Sequence, residues 1–207
     1  MHINWLGQTC VKLQTKNLKD EDVVILIDAY KPKTGDFPRS FSPDLALFSM
    51  GLNEAVTLSQ DPFILDSYGE VEKKDVMVYS FPGDKNSKVF KIGAEGMNIV
   101  HLGNITQKPN AEIMGKISSP DILLIPVGGD GKTLLDPQTA GDLVTALEPR
   151  IIIPIAHNCD TDPKAKPITD FIKEIGLKPE ATEKKIIIKK RDLPEEETRL
   201  IILEKNY

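Results

Sequence analysis

Asp28, Glu54, Asn104 and His157 each stand at or just beyond the end of an apolar run, and Asp84 lies in the turn-rich stretch SFPGDKN. In α/β proteins the chemistry gathers at such strand ends, where loops carry reactive groups on a rigid scaffold. Carboxylates and neutral imidazoles are ligands for divalent cations, and a bound cation lowers the pKa of its water towards about 7. A hydrolytic zinc site takes about three protein ligands plus water. Glu54 and His157 are the effective donors here, with the neutral amide of Asn104 a marginal third.

Other groups invite a reading and lose it. Cys159 follows His157 by two residues. A thiol nucleophile needs its imidazole in space, and loop residues at that spacing need not meet. Cys159 is therefore read as a plain thiol. His101 ends an apolar strand and is read as a structural histidine with satisfied nitrogens. His2, near the terminus, is read as solvated. GGDGKT at 128–133 fails the phosphate-loop pattern, because Pro126 stands where the first glycine is required.

Elements must place these groups. The runs Ile3 to Leu6, Val11 to Thr15, Val23 to Ile27 and Leu45 to Phe48 read as strands, the third buried on both faces. A long Pro-, Lys- and Gly-rich loop, Tyr30 to Pro43, separates the last two and is a candidate lid. Asp75 to Ser80, Lys88 to Ile92 and Met97 to His101 read as a meander, with turns at PGDKN and GAEG. Ile122 to Val127 and Ile151 to Ile155 are strands. Pro137 to Leu147 is a helix capped by Asp136, and Ile168 to Ile175 is a helix ending at Gly176. Lys185 to Lys189 and Arg199 to Leu203 read as a closing hairpin around DLPEEET. Its basic cluster, Lys184, Lys185, Lys189, Lys190 and Arg191, reads as solvated edge charge. Strands first, then strands alternating with helices, imply two sheets in contact with helices outside, in one domain spanning 1–207.

Composition narrows the function classes. A net charge of -5 argues against a nucleic-acid or anionic-membrane partner. Two cysteines make no disulfide framework, the start MHINWLGQTC has no signal-peptide pattern, and no apolar run is long enough to span a bilayer. The expectation is a cytoplasmic protein.

WLGQTC, ILIDAY (25–30), IVHLGN (99–104), ILLIPVGG (122–129) and EPRIIIPIAH (148–157) occur in the order found in metallo-β-lactamase-fold hydrolases. The chain resembles their small bacterial metal-dependent branch, similar to ascorbate-phosphate lactonase, and the closing KKIIIKKRDLPEEETRLIILE fits that branch. The resemblance covers nearly the whole chain and implies a four-layer αββα sandwich. It also implies a His-x-His-x-Asp-His motif after the strand at Leu45–Phe48. This chain has Met50, Gly51, Leu52, Asn53, Glu54 and Ala55 there. Asn104 stands where the family has Asp, SFPGD lacks the family's histidine, and Gly7-Gln8-Thr9-Cys10 replaces GHxC. Asp28 matches a residue that supports a metal-bound His in the family, and His157 lies near the family's last His, displaced by Ala156.

The expectation is a degenerate metal site with no metal or cofactor. The candidate cleft residues are Asp28, Met50, Leu52, Glu54, Asp84, Asn104 and His157. Met50 and Leu52 either line a small apolar pocket or fill the space that metals would occupy, and filling is the favoured reading. The protein is then a non-catalytic structural or binding partner, in a homo-oligomer or beside an active paralogue. One rival reading is a hydrolase with a minimal or relocated zinc or manganese site, using Glu54, Asn104, His157 and Asp84 or Asp28. Another is a small-molecule binding module using the cleft under the Tyr30–Pro43 loop.

Overall fold

Alternation along the apolar runs assigns each side chain to a layer. In the computed structural model, which describes residues 1–38, 40–52 and 56–206, the chain begins with β1 (His2–Gly7), β2 (Cys10–Lys16), β3 (Asp22–Ile27), β4 (Ser40–Phe41) and β5 (Leu45–Leu47). It continues through β6 (Thr57–Leu58), β7 (Phe63–Leu65), β8 (Gly69–Lys73), β9 (Val76–Pro82), β10 (Lys88–Ala94) and β11 (Met97–His101). Then come α1 (Ala111–Lys116), β12 (Ile122–Pro126), α2 (Pro137–Leu147), β13 (Ile151–Ile155) and α3 (Ile168–Ile175). The chain closes with β14 (Pro179–Glu183), β15 (Ile186–Ile187) and β16 (Arg199–Leu203).

Among the described residues the strands form two large mixed sheets. One runs β15-β1-β2-β3-β5-β7, the other β14-β16-β13-β12-β11-β10-β9-β8. Val23, Ile25 and Ile27 of β3 and Leu45 and Leu47 of β5 face inward, against Phe90, Ile92, Ile122, Leu124 and Ile153 of the opposite sheet. The intervening Leu26 and Ala46 face outward. On the far side of the larger sheet, Leu123, Ile125 and Ile152 pack against Ala140, Leu143 and Leu147 of α2 and Phe171 of α3.

Helix α2 starts as the sequence predicts: Asp136 accepts from the Thr139 amide, 3.0 Å away, and Pro137 opens the first turn. Helix α3 stops at Gly176, whose φ is +67°.

The expected pair of packed sheets with helices outside is present, and three local details are corrected. The outer face of the smaller sheet is covered, among the described residues, by Tyr30, Phe37, Phe41, Val56 and Leu58 and the β4–β6 pair instead of a helix. The described residues between 30 and 58 therefore form a layer as well as a loop. The closing hairpin does not form. β15 pairs with β1 in one sheet, while β16 pairs with β13 and β14 in the other, so the basic cluster spans the crossing between sheets. His2 is half-buried in β1.

The strands β3, β5 and β7 are mutually parallel, as are β11, β12, β13 and β16. Their loops at Asp28, Ser49, Asn104 and Gly128 emerge from carboxyl ends, where α/β sheets place ligands.

Phe171 is fully buried and fixes α3 to the sheet. Phe171→Ala is expected to cost about 3–5 kcal/mol of unfolding free energy, measured by urea denaturation. A loss under about 1 kcal/mol would contradict this packing.

Candidate functional site

Asp28 leaves β3 with φ +51°, a left-handed conformation that Asp tolerates better than most residues. Its amide donates to the Leu47 carbonyl at 2.8 Å, which ties the ends of β3 and β5 together. The side chain is only 8% exposed, so its charge must be met inside the protein. One oxygen accepts from the Ser49 amide at 2.6 Å. The other accepts from the Ser49 hydroxyl at 2.8 Å and from the Asn104 side-chain nitrogen at 3.2 Å. That nitrogen also lies 2.8 Å from Ser49 Oγ and 3.1 Å from Thr9 Oγ1. A carboxylate only accepts, so the NH₂ end of Asn104 must face Asp28, and its two hydrogens are shared among three acceptors.

The surrounding loops hold this arrangement. His101 is fully buried, and its Nδ1 accepts from the Gly103 amide at 3.0 Å. The ring proton is therefore on Nε2, which donates to the Thr9 carbonyl at 2.9 Å. Burial lowers the pKa of His101, keeping it neutral. The structural reading of this histidine is what the geometry shows. Gly103 has φ +61°, and a Cβ there would sit 2.3 Å from the Lys88 carbonyl and 2.6 Å from Ser49 Cβ. Only glycine allows both the conformation and the close approach.

Of the predicted site residues, Asp28 and Asn104 meet. With Thr9 and Met50 they line a small cavity of about 100 Å³. Met50 is 52% exposed and Leu52 is 45% exposed. The expectation that they fill a vacated interior is corrected, since each keeps about half its surface outside. Glu54 lies outside the described residues. Asp84 accepts from the amide and hydroxyl of Thr106, at 2.9 and 2.6 Å, and so anchors its turn to the loop after β11.

His157 follows Ala156, whose φ of +55° is costly for a residue with a Cβ. Its ring packs on Trp5 with centroids 4.1 Å apart. Nδ1 is 3.3 Å from the Asn158 carbonyl, and Nε2 is buried without a hydrogen-bond partner. Burial lowers its pKa to about 4, with the backbone carbonyl of Asn158 offsetting part of that effect. Cys159 Sγ is 3.3 Å from Thr161 Oγ1, so its polar contact is to a hydroxyl.

The described side chains are not arranged as a family-type divalent site. Asp28 already has three donors, Asn104 turns hydrogens towards it, and His157 lies against an indole. Among the described residues no three His, Cys, Asp or Glu side chains come together in a metal-binding group. The sequence reading missed Ser49 and Thr9. The available signal was a hydroxyl directly after the apolar run DLALF and another after the Gly7-Gln8 turn.

A domain family described as "Beta-lactamase superfamily domain" matches residues 2–156. A UPF0173 metal-dependent hydrolase of Methanoregula boonei is 24% identical over 194 residues, covering 76% of this chain and 82% of that protein. One from Sulfurisphaera tokodaii is 34% identical over 86 residues, covering 41% of this chain and 37% of that protein. Among solved structures, a metallo-β-lactamase superfamily protein of Thermotoga maritima aligns with TM-score 0.79 at 21% identity, covering 98% of each chain. A metallo-β-lactamase fold protein of Bacillus subtilis aligns with TM-score 0.61 at 7% identity, covering 100% of this chain and 97% of that one. These likenesses show the fold.

Asn104→Asp would set two carboxylates side by side without a cation, and one of them would resist ionisation. The variant is expected to lose about 1–3 kcal/mol at pH 7.5. The sign follows from proton binding. The folded variant holds a proton more tightly than its unfolded chain, so the deficit relative to the parent shrinks as pH falls towards 4.5. Urea unfolding of both proteins at the two pH values measures this. Equal stability at pH 7.5 would mean that Asn104 does not face Asp28.

Proposed function

Because this chain belongs to the beta-lactamase superfamily, we propose that it is a homologue of metal-dependent hydrolases in which hydrogen bonding has replaced the metal site. On this reading it binds a ligand or partner at the cleft without hydrolysing it. The supporting observation is the engagement of Asp28 by Ser49 and Asn104. An amide at position 104 donates hydrogens where the family resemblance implies a carboxylate ligand. A neutral donor can satisfy one buried carboxylate, but it cannot help to hold a divalent ion as a second carboxylate would. Gly51 and the half-exposed Met50 and Leu52 supply no hard or borderline donor either.

The second reading is a metal-dependent hydrolase with a minimal or relocated site, using zinc or manganese on Glu54, Asn104, His157 and Asp84 or Asp28. Its support is the name "metal-dependent hydrolase" carried by the relatives. His157 Nε2, buried without a hydrogen-bond partner, is a donor for it, but Asp84 would have to release Thr106, or Asp28 its contacts with Ser49 and Asn104. A homo-oligomer or an active paralogue remains the proposed setting if the cleft serves a protein partner.

Elemental analysis of protein purified without chelator separates the readings. The expected content is well under one equivalent of zinc, manganese or iron per chain. A stoichiometric metal, lost when Glu54 and His157 are replaced by Ala, would establish the second reading.

A further inference from the structure

We propose that the cleft between residues 30–36 and 159–166 is a binding site for a small polyanion bearing phosphate or carboxylate groups. This deepens the binding reading above by naming the class of ligand. The cleft encloses about 570 Å³, lined by Gln8, Tyr30, Lys31, Lys33, Thr161 and Lys164 among others. That volume falls within the range of small-molecule sites, about 300–1,000 Å³. It adjoins the small cavity over Asp28, with Gln8 and Tyr30 lining both.

Three lysines from two separate chain segments face this one space, against a single lining carboxylate among the described residues, Asp162. The chain as a whole carries a net charge of -5, so the lining is opposite in sign to the chain's net charge. Four lysines elsewhere are paired with carboxylates: Lys16 with Asp22, Lys74 with Asp44, Lys116 with Glu112 and Lys205 with Asp160. Among the described residues, Lys31, Lys33 and Lys164 have no such carboxylate partner. Like charges gathered in a concave site repel one another, and a bound anion removes that cost.

The walls are built in advance. Asp160 accepts from the Asp36 amide at 3.1 Å and from Lys205 at 2.7 and 2.8 Å, while Thr34 Oγ1 donates to the Asp160 carbonyl at 3.1 Å. This clips the lysine-bearing 30–36 segment to the opposite wall. At the base, the Tyr30 hydroxyl donates to Thr161 Oγ1 at 2.7 Å. A Cβ at Gly7 would come within 2.5 Å of that hydroxyl oxygen. Burial raises the pKa of Tyr30, so its proton stays in place near neutral pH.

The test is calorimetric titration of chelator-treated protein with inorganic pyrophosphate and, separately, citrate. At least one probe should bind saturably at one site per chain, and whichever binds more tightly identifies the preferred anion chemistry. The affinity should fall on raising NaCl from 50 to 500 mM, since the contacts are charge-assisted. The double variant Lys33→Glu/Lys164→Glu should weaken binding at least tenfold. Both side chains are exposed, so the substitutions leave the core untouched. Lys19→Glu, the same charge change on a distant exposed turn, should leave the affinity within twofold. Absence of saturable binding by both probes, or equal weakening by Lys19→Glu, would overturn the proposal. Metal content, measured separately, decides whether the cleft is hydrolytic, so the two failures are distinguishable.

Discussion

A buried carboxylate at the end of β3 organises this edge of the protein. Asp28 cannot be left with an unmet charge, because an ionised group removed from water without partners costs several kcal/mol. Ser49 supplies two donors from the loop after β5, and Asn104 supplies one from the loop after β11. The first loop belongs to the smaller sheet and the second to the larger, so one side chain joins the two halves of the sandwich at their open edge. His101 adds a second tie by linking Gly103 to the Thr9 carbonyl. The left-handed turns at Gly7, Asp28 and Gly103 follow from the need to bring three loops into contact.

Metallo-β-lactamase-fold hydrolases, as the sequence resemblance describes them, use this edge to gather imidazoles and carboxylates around cations. In this chain neutral hydroxyl and amide groups surround the same carboxylate. On the proposed reading, the exchange has a simple electrostatic logic. Several acidic ligands are stable together only when a cation lies between them. Once an amide replaces one carboxylate, the remaining acid is satisfied by dipoles. Positive charge at this edge lies inside, in buried Lys88, whose Nζ is 3.4 Å from the Ser49 carbonyl, and on the rim, in Lys31, Lys33 and Lys164.

Much of the frame was legible in the sequence because it rests on local rules. The inward–outward alternation of β3 and β5, the Asp136-Pro137 start of α2 and the Gly176 stop of α3 are each written in a few adjacent residues. What was not legible depends on distant pairing. The short strands β8 and β14 carry mixed polarity, β7 is only three residues long, and β7 and β14 pair with strands about 20 residues away along the chain. β15 joins β1 through His2–Ile187 and Ile3–Ile186 pairing, which nothing in the sequence near residue 186 announces. The site was half legible. The changed motif marked Asp28 and Asn104, but it could not show that Ser49 and Thr9 complete their hydrogen bonding. Nor could it show that Met50 and Leu52 lie half outside, or that His157 rests on Trp5.

The claim that hydrogen bonding has taken the place of a metal is tested most directly by the effect of zinc on thermal stability. The comparison is between the parent protein and a variant carrying Met50→His, Leu52→His, Glu54→Asp, Ala55→His and Asn104→Asp. A ligand that binds only the native state raises the melting temperature in proportion to its affinity and concentration. Zinc should raise that of the variant and leave the parent unchanged. Equal zinc stabilisation of both proteins would contradict the account, since the parent would then already hold a metal site.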